Sequence, residues 1–355
     1  MDGGRVGPIG PTGGCLRVFQ IHPTRRCNLR CLHCYSESGP RESAQLDQEL
    51  LRVAICDARE QGYTLVGFSG GEPLMYAPLP ALLTHARSLG MITTVTTNGM
   101  LLTERKLGEL ADRVDLIAIS LDGVPTSHNK IRAYGGAFEK MAARLNGLRQ
   151  SGIPFGFIFT LTMFNVHELR WVADFARDQG ACLLQIHPLE EAGRAARRMR
   201  GEEPDGTEAA AAYVEALKIQ AMVGERLQVH LDLAPKEVLR EEPARVFADP
   251  LVEGWENWPL ADLVNPLIVE ADGAVVPIQH GFDRRFALGN LQNESLLEMS
   301  ARWRGNRYRE FRTLCKSAWK KATSRGVIQL VNWYGVIHNQ ARTHTSSRRP
   351  ELRSS

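Results

Sequence analysis

Three cysteines stand close together, Cys27, Cys31 and Cys34 in the run RRCNLRCLHCY. Thiolates are soft ligands, and three of them at C-x3-C-x2-C point to zinc or to an iron-sulfur cluster. A structural zinc site usually takes four donors from two C-x2-C pairs or from a Cys pair and a His pair, and the x3 gap fits that poorly. His33 would be the fourth donor, but it lies between Cys31 and Cys34, where short-range geometry points it elsewhere. Three donors hold a cluster while leaving one position free for another ligand. Further on, FSGGEPLMY sets Glu72 behind Gly70 and Gly71. The glycines let backbone approach a ligand closely, and a carboxylate suits an ammonium. Two apolar runs end in TTNG and ISLDG, which present Asn98, Ser120 and Asp122 as small hydrogen-bonding groups. Asp122-Gly123 reads equally well as a capped turn. Thr160, Thr162 and His187 are further candidates for a pocket lining.

The elements that must carry these residues are legible as alternating short apolar runs and amphipathic stretches between residues 16 and 190, the pattern of repeated strand-helix units around a parallel sheet. Strands are expected at 16–21, 65–69, 91–97, 114–120, 155–162 and 182–187. Helices fall between them, such as QLDQELLRVAICDAREQG, with Leu46, Leu50, Val53 and Ala54 at helical spacing, and LPALLTHARSLG, closing on Gly90. Right-handed crossovers would curl six such units into a full or partial barrel, whose ligand sites collect at the C-terminal ends of the strands. The fold class is α/β, a partial (βα)6 TIM-like barrel followed by a small α+β extension. Every candidate above falls at or after a strand end, so the cysteines and the polar tips share one mouth.

Composition bounds the reading. The chain has 355 residues, 43% hydrophobic and 23% charged, with a formal net charge of +3. These values exclude a disordered or fibrous protein, and the charge is too near neutral to require nucleic acid or a membrane surface as partner. No apolar run reaches a membrane-spanning length, and the opening Gly/Pro stretch lacks a signal-peptide core, so a cytoplasmic protein is expected. Of the seven cysteines, Cys15, Cys56, Cys182 and Cys315 are scattered. Cys56 and Cys182 are expected as small core residues and Cys315 and Cys15 as bystanders.

The cysteine spacing after strand one resembles the hallmark of the radical S-adenosylmethionine (SAM) superfamily, over residues 16–190. His33 before the last cysteine and Tyr35 after it agree with that resemblance. It implies that Cys27, Cys31 and Cys34 ligate one [4Fe-4S] cluster whose fourth iron is chelated by SAM. It also implies that Ser69, Gly70, Gly71, Glu72 and Pro73 hold the SAM methionyl amine. Ser120 and Asp122 would lie near ribose and substrate, Asn98 near SAM or substrate, and Arg132 in KIRAYGGAF would pair with the SAM carboxylate. The implied activity is reductive SAM cleavage to a 5'-deoxyadenosyl radical that abstracts a substrate hydrogen, with a flavodoxin or ferredoxin as one-electron donor.

The later sequence resembles the SPASM/twitch extension of many such enzymes in ADGAVVPI followed by ALGNLQNESLLEM, with a hairpin turned at Asp272-Gly273. In that extension a cysteine follows the hairpin glycine after four residues, and here Ile278 stands there. Only Cys315 remains of the later cysteines, so the resemblance implies a degenerate extension with no auxiliary cluster. The expected organisation is a lead (1–15), a radical SAM core (16–200), a helical connector (201–262) with a helix near 208–223, the extension (263–320), in which SLLEMSARWRGNRYREFRTLC reads as one helix, and a polar tail (321–355) with residues 341–355 disordered. GRAARRMR, 193–200, reads as a solvated basic face or as cations for an acidic substrate. Enzymes with this extension often act on ribosomally made peptides, the first expectation here. Small-molecule or tetrapyrrole tailoring is the second, and a non-catalytic metal- or nucleic-acid-binding module is the competing class.

Overall fold

The computed structural model describes residues 16–247, 255–324 and 329–346. Six runs rich in β-branched and aromatic residues form β1 (Val18–Ile21), β2 (Leu65–Phe68), β3 (Ile92–Thr97), β4 (Leu116–Ser120), β5 (Phe155–Leu161) and β6 (Leu183–Pro188). Each lies where the sequence places it and pairs parallel with the next in chain order. Parallel pairing requires crossovers, supplied by α1 (Gln48–Glu60), α2 (Leu79–Ser88), α3 (Glu104–Leu110), α4 (Pro125–Arg132), α5 (Ala137–Ser151) and α6 (Leu169–Asp178). Strand β2 is buried at every position, whereas β1 and β3 alternate buried and half-buried residues, and in β5 Phe155, Phe157, Phe159 and Leu161 share one face that joins the core.

Helix α1 starts where Asp47 accepts from the Glu49 and Leu50 amides. Its buried face is Leu51, Ala54, Ile55 and Ala58, one step round from the expected one, which leaves Val53 exposed. After β6 come α7 (Ala195–Arg198), α8 (Gly206–Val223) and a seventh parallel strand, β7 (Gln228–Leu231), which pairs with β6 inside the stretch expected as a helical connector. A short β8 (Ala234–Pro235) follows.

The expected hairpin forms from β9 (Leu267–Val269) and β10 (Ala274–Pro277), antiparallel, with β11 (Gly289–Asn290) beside β10. Strand β9 pairs parallel with β1, so the hairpin extends the barrel sheet, whose order is β11-β10-β9-β1-β2-β3-β4-β5-β6-β7 among the described residues. The stretch expected as one helix is two, Leu296–Asn306 and Tyr308–Ala322, broken at Arg307 after the weak helix formers Gly305 and Asn306. The tail expected from residue 321 on contains β12 (Leu330–Val331), paired with β8, and a helix Trp333–Ser346 that buries Ile337 and Ala341 in the core. Residues 341–346, expected as disordered, are thus helical; 347–355 lie outside the described residues. No described helix is long and apolar enough to cross a membrane.

Candidate active site

The loop that leaves β1 carries the three cysteines, and the GGEP segment that leaves β2 holds its start. Gly71 N donates to Thr24 O and Glu72 N to Arg26 O, each at 2.9 Å. A Cβ at Gly71 would run into the Arg26 carbonyl, so only glycine allows this approach. Cys27 and Cys31 are buried, Cys34 is half-buried, and they pack with Leu29 and Met100. Burial pushes the Cys27 thiol up to about 12 and raises the Cys31 thiol against the pull of Arg132. Donors nevertheless face the sulfurs: Leu29 N stands 3.4 Å from Cys27 Sγ and Arg132 Nη1 3.8 Å from Cys31 Sγ.

Glu72 is fully buried, and its oxygens accept from Leu74 N (3.1 Å), Thr97 Oγ1 (2.7 Å) and Asn98 N (3.0 Å). Its carboxylate therefore braces GGEP to the end of β3, leaving backbone as the freer ligand surface of this segment. Burial nonetheless raises the Glu72 carboxyl above its ordinary value. Asn98 continues the brace, donating from Nδ2 to Asn28 Oδ1 on the cysteine loop at 2.7 Å. Pro73 opens the short 3-10 turn Pro73–Met75 after it, and Ser69 shares a hydrogen bond with Tyr35 at 3.4 Å.

At the end of β4, Ser120 is half-buried and Asp122 fully buried. Arg132 Nε lies 2.6 Å from Asp122 Oδ2, and His33 Nε2 3.5 Å from the same oxygen. Burial pushes the Asp122 carboxyl up, but Arg132, His33 and His128 more than reverse it and hold it below its ordinary value. His33 and His128 are pushed down to about 4 by burial, so both are neutral at pH 7. Asp122 is a counter-ion rather than a turn cap, and Arg132, expected at a ligand carboxylate, is already bound between Asp122 and Cys31. Thr162 is also spoken for, bonded to Asn165, which in turn holds the Asp122 and Thr160 carbonyls.

In the basic run after β6, one position corrects the expected solvated face. Arg194 is buried, donating from Nη1 to Cys31 O (2.7 Å) and from Nη2 to Ser38 O (2.8 Å). Arg197, Arg198 and Arg200 keep the expected exposed character, and Arg197 pairs with Glu37.

The far wall follows β6, β7 and β9. His187 is ion-paired with Asp232, and Glu190 accepts from Gln279 Nε2 at 2.8 Å. Burial lowers the His187 pKa, but Asp232 more than reverses it; burial lifts Glu190 to about 7. Glu270, after β9, accepts from Gly281 N and pairs with Arg284. The His280 ring stacks on His22 at 5.1 Å and stands 5.2 Å from Tyr35. Ile278, where a cysteine was sought, has φ 71, an unusual conformation for a β-branched residue, just before the loop turns toward these groups. Sequence reasoning found His187 and missed Glu190, Asp232, Glu270, Gln279, His22 and His280, since none of them forms a local motif.

The thiols can be tested against the two metal readings. A zinc ion needs its donors about 2.3 Å from one centre, whereas a cluster takes one thiolate per iron and so spreads them. Among the described residues no three His, Cys, Asp or Glu side chains converge on one ion. The three thiols instead share a patch faced by N–H donors, which fits a cluster. The other cysteines are apart: Cys56 is half-buried on α1 beside His85, Cys315 is buried, and Cys182 is exposed rather than a core residue because it precedes β6 at the surface. Cys15 lies outside the described residues.

Residues 21–176 match the profile of the Radical SAM superfamily. The Fe-coproporphyrin III synthase of Methanosarcina barkeri is 33% identical over 49% of this chain and 44% of its own length. The PqqA peptide cyclase of Streptomyces rochei is 31% identical over 57% of this chain and 56% of its own. The chain thus spans about half the length of the curated relatives it matches. The fold superposes on native anSMEcpe with bound AdoMet at a TM-score of 0.65 and 17% identity, over 93% of this chain and 97% of that one. With its thiols on the loop after β1 and GGEP after β2, the matched stretch, residues 21–176, is a radical SAM domain.

Proposed function

We propose that the chain binds one [4Fe-4S] cluster through Cys27, Cys31 and Cys34, binds SAM beside it, and acts on a ribosomally made peptide or a related natural product. The observation that carries this reading is the packed thiol patch, whose loop is joined by hydrogen bonds to GGEP, to the end of β3 and to α4. When bound, the cluster and SAM supply a 5'-deoxyadenosyl radical that takes a hydrogen from substrate. The chain's own residues position and shield: the Ser69–Pro73 backbone offers carbonyls to the SAM amine, Ser120 and Asn98 offer polar atoms at the strand ends, and Arg132 sets positive charge beside Cys31. A flavodoxin or ferredoxin would deliver the electron.

The far wall supports the substrate class. Its carboxyl groups, Glu190 bonded to Gln279 and Asp232 paired with His187, keep further acceptor capacity, whereas its Arg284 is paired with both Glu270 and Asp272. Such a surface suits peptide N–H groups or an amine better than the carboxylates of a tetrapyrrole. A tetrapyrrole substrate is the second reading, favoured by the 33% identity to an Fe-coproporphyrin III synthase.

Anaerobic reconstitution tests the first part. About four irons per chain, absorbance near roughly 400 nm and dithionite-dependent release of 5'-deoxyadenosine from SAM are expected; a colourless zinc protein overturns the reading, and eight irons overturn the single cluster. Added coproporphyrin stimulating that release, where candidate precursor peptides do not, would replace the peptide assignment by the second.

A further inference from the structure

The segment after β6 packs on the cysteine loop. Arg194 reaches two carbonyls of that loop, Cys31 O and Ser38 O, and its own amide donates to Cys34 O at 2.9 Å. Beside it, Gly193 has φ +55, and a Cβ there would collide with the Tyr35 carbonyl. Leu189, Ala195 and Met199 close a small apolar cluster with Ile131, and Leu32 of the cysteine loop packs against it. One side chain and one amide thus grip the backbone of two of the three cysteines and the far end of their loop.

We propose that Gly193-Arg194 is a latch that fixes the cysteine loop for cluster loading, with Arg194 as the positioning residue for Cys31 and Cys34. A loop bearing three ligands loses much conformational freedom when it closes on a cluster, and a latch that orders it beforehand reduces that loss. The guanidinium also places a buried positive charge beside an anionic cluster, which favours the reduced form. The inference rests on the cluster reading of the site, and the experiment separates the two.

Full-length chains carrying Arg194→Ala, Arg194→Lys and Arg197→Ala are reconstituted beside the unsubstituted protein. Iron per chain, the EPR signal of the reduced cluster, its midpoint potential and the melting curve of the iron-free protein are measured. Arg194→Ala should retain the cluster on the order of tenfold less well, the scale of outer-shell groups at metal ligands, and shift any residual cluster to a lower potential. Arg194→Lys should recover part of both, and Arg197→Ala should load normally. Arg194→Ala that loads normally with unaltered signal and potential overturns the latch, even if its melting point drops. Should Arg194→Ala not fold, Gly193→Ala probes the same contact: poor loading supports the latch and normal loading overturns it. Failure of the unsubstituted chain to take up iron would overturn the cluster reading itself.

Discussion

The two sides of the barrel mouth solve different problems. On the β1–β4 side, Glu72, Asn98, Asp122 and Arg132 are held by one another and by neighbouring backbone. Burying charge is costly unless it is compensated, and here Glu72 accepts three hydrogen bonds while Asp122 and Arg132 pair with each other, so the wall is preorganised. On the β6–β9 side, carboxyls from three different strand ends meet an amide and a ring stack, and Glu190 sits near the midpoint of its titration at neutral pH. The first wall is built to hold one fixed thing. The second is able to change its hydrogen bonding with what it meets.

The strongest way to break this comparison is at the thiols. Cys27→Ala, Cys31→Ala or Cys34→Ala should each abolish iron uptake and 5'-deoxyadenosine release, because two thiolates are too few for the cluster. SAM cleavage persisting in any of them would remove the fixed side's function. Asp122→Asn comes next. It leaves Arg132 buried without its counter-ion and should destabilise the fold by about 3–5 kcal/mol, the usual range for breaking a buried pair, read as a shift in denaturant midpoint. The Asp122 carboxyl titrates below its unfolded value, so its stabilisation is fully present above that value and is lost as pH falls through the folded one. The gap between the two proteins should therefore be full at pH 7 and close in acid.

The same division explains what could be read in advance. Cys27 to Cys34, GGEP, TTNG and ISLDG are local strings at strand ends, and alternating strand-helix periodicity places them, so the fixed wall was legible. Which group each polar side chain would choose was not. Arg132 and Arg194 look like free cations in sequence, yet pairing with Asp122 and a thiol contact across 101 residues decide the role of the first, and a carbonyl contact across 163 residues that of the second. The second wall brings Gln279 to Glu190 across 89 residues, and β7 and β9 join the sheet by pairing that no local pattern encodes. The break at Arg307 follows the local preference of Gly305 and Asn306, which the sequence reading passed over, whereas the helix Trp333–Ser346 was missed because packing of Ile337 and Ala341 overrode a polar local pattern.

Glu72→Gln sharpens the meaning of the brace. The carboxylate accepts three hydrogen bonds, and an amide nitrogen at one oxygen position would face a donor instead of receiving it. An expected loss of about 1–3 kcal/mol follows from leaving such a buried group unsatisfied, together with weaker SAM binding by equilibrium dialysis. Unchanged stability would mean that the Thr97 and Asn98 contacts do not set the GGEP backbone.

Glu190→Gln asks whether the second wall merely binds or also moves a proton. The folded carboxyl holds its proton up to about 7, well above its unfolded value, so the native state loses stability as pH rises through that interval. The glutamine chain lacks this loss and should be the relatively more stable one at alkaline pH. In turnover, the pH profile should lose an ionisation near about 7 while the rate at the optimum falls by less than about tenfold, because a hydrogen-bonding contact is weaker than the 10²–10⁴-fold typical of general acid-base catalysis. A loss beyond about a hundredfold, with substrate binding intact, would make Glu190 a proton-transfer group and give the adaptable wall a chemical step of its own.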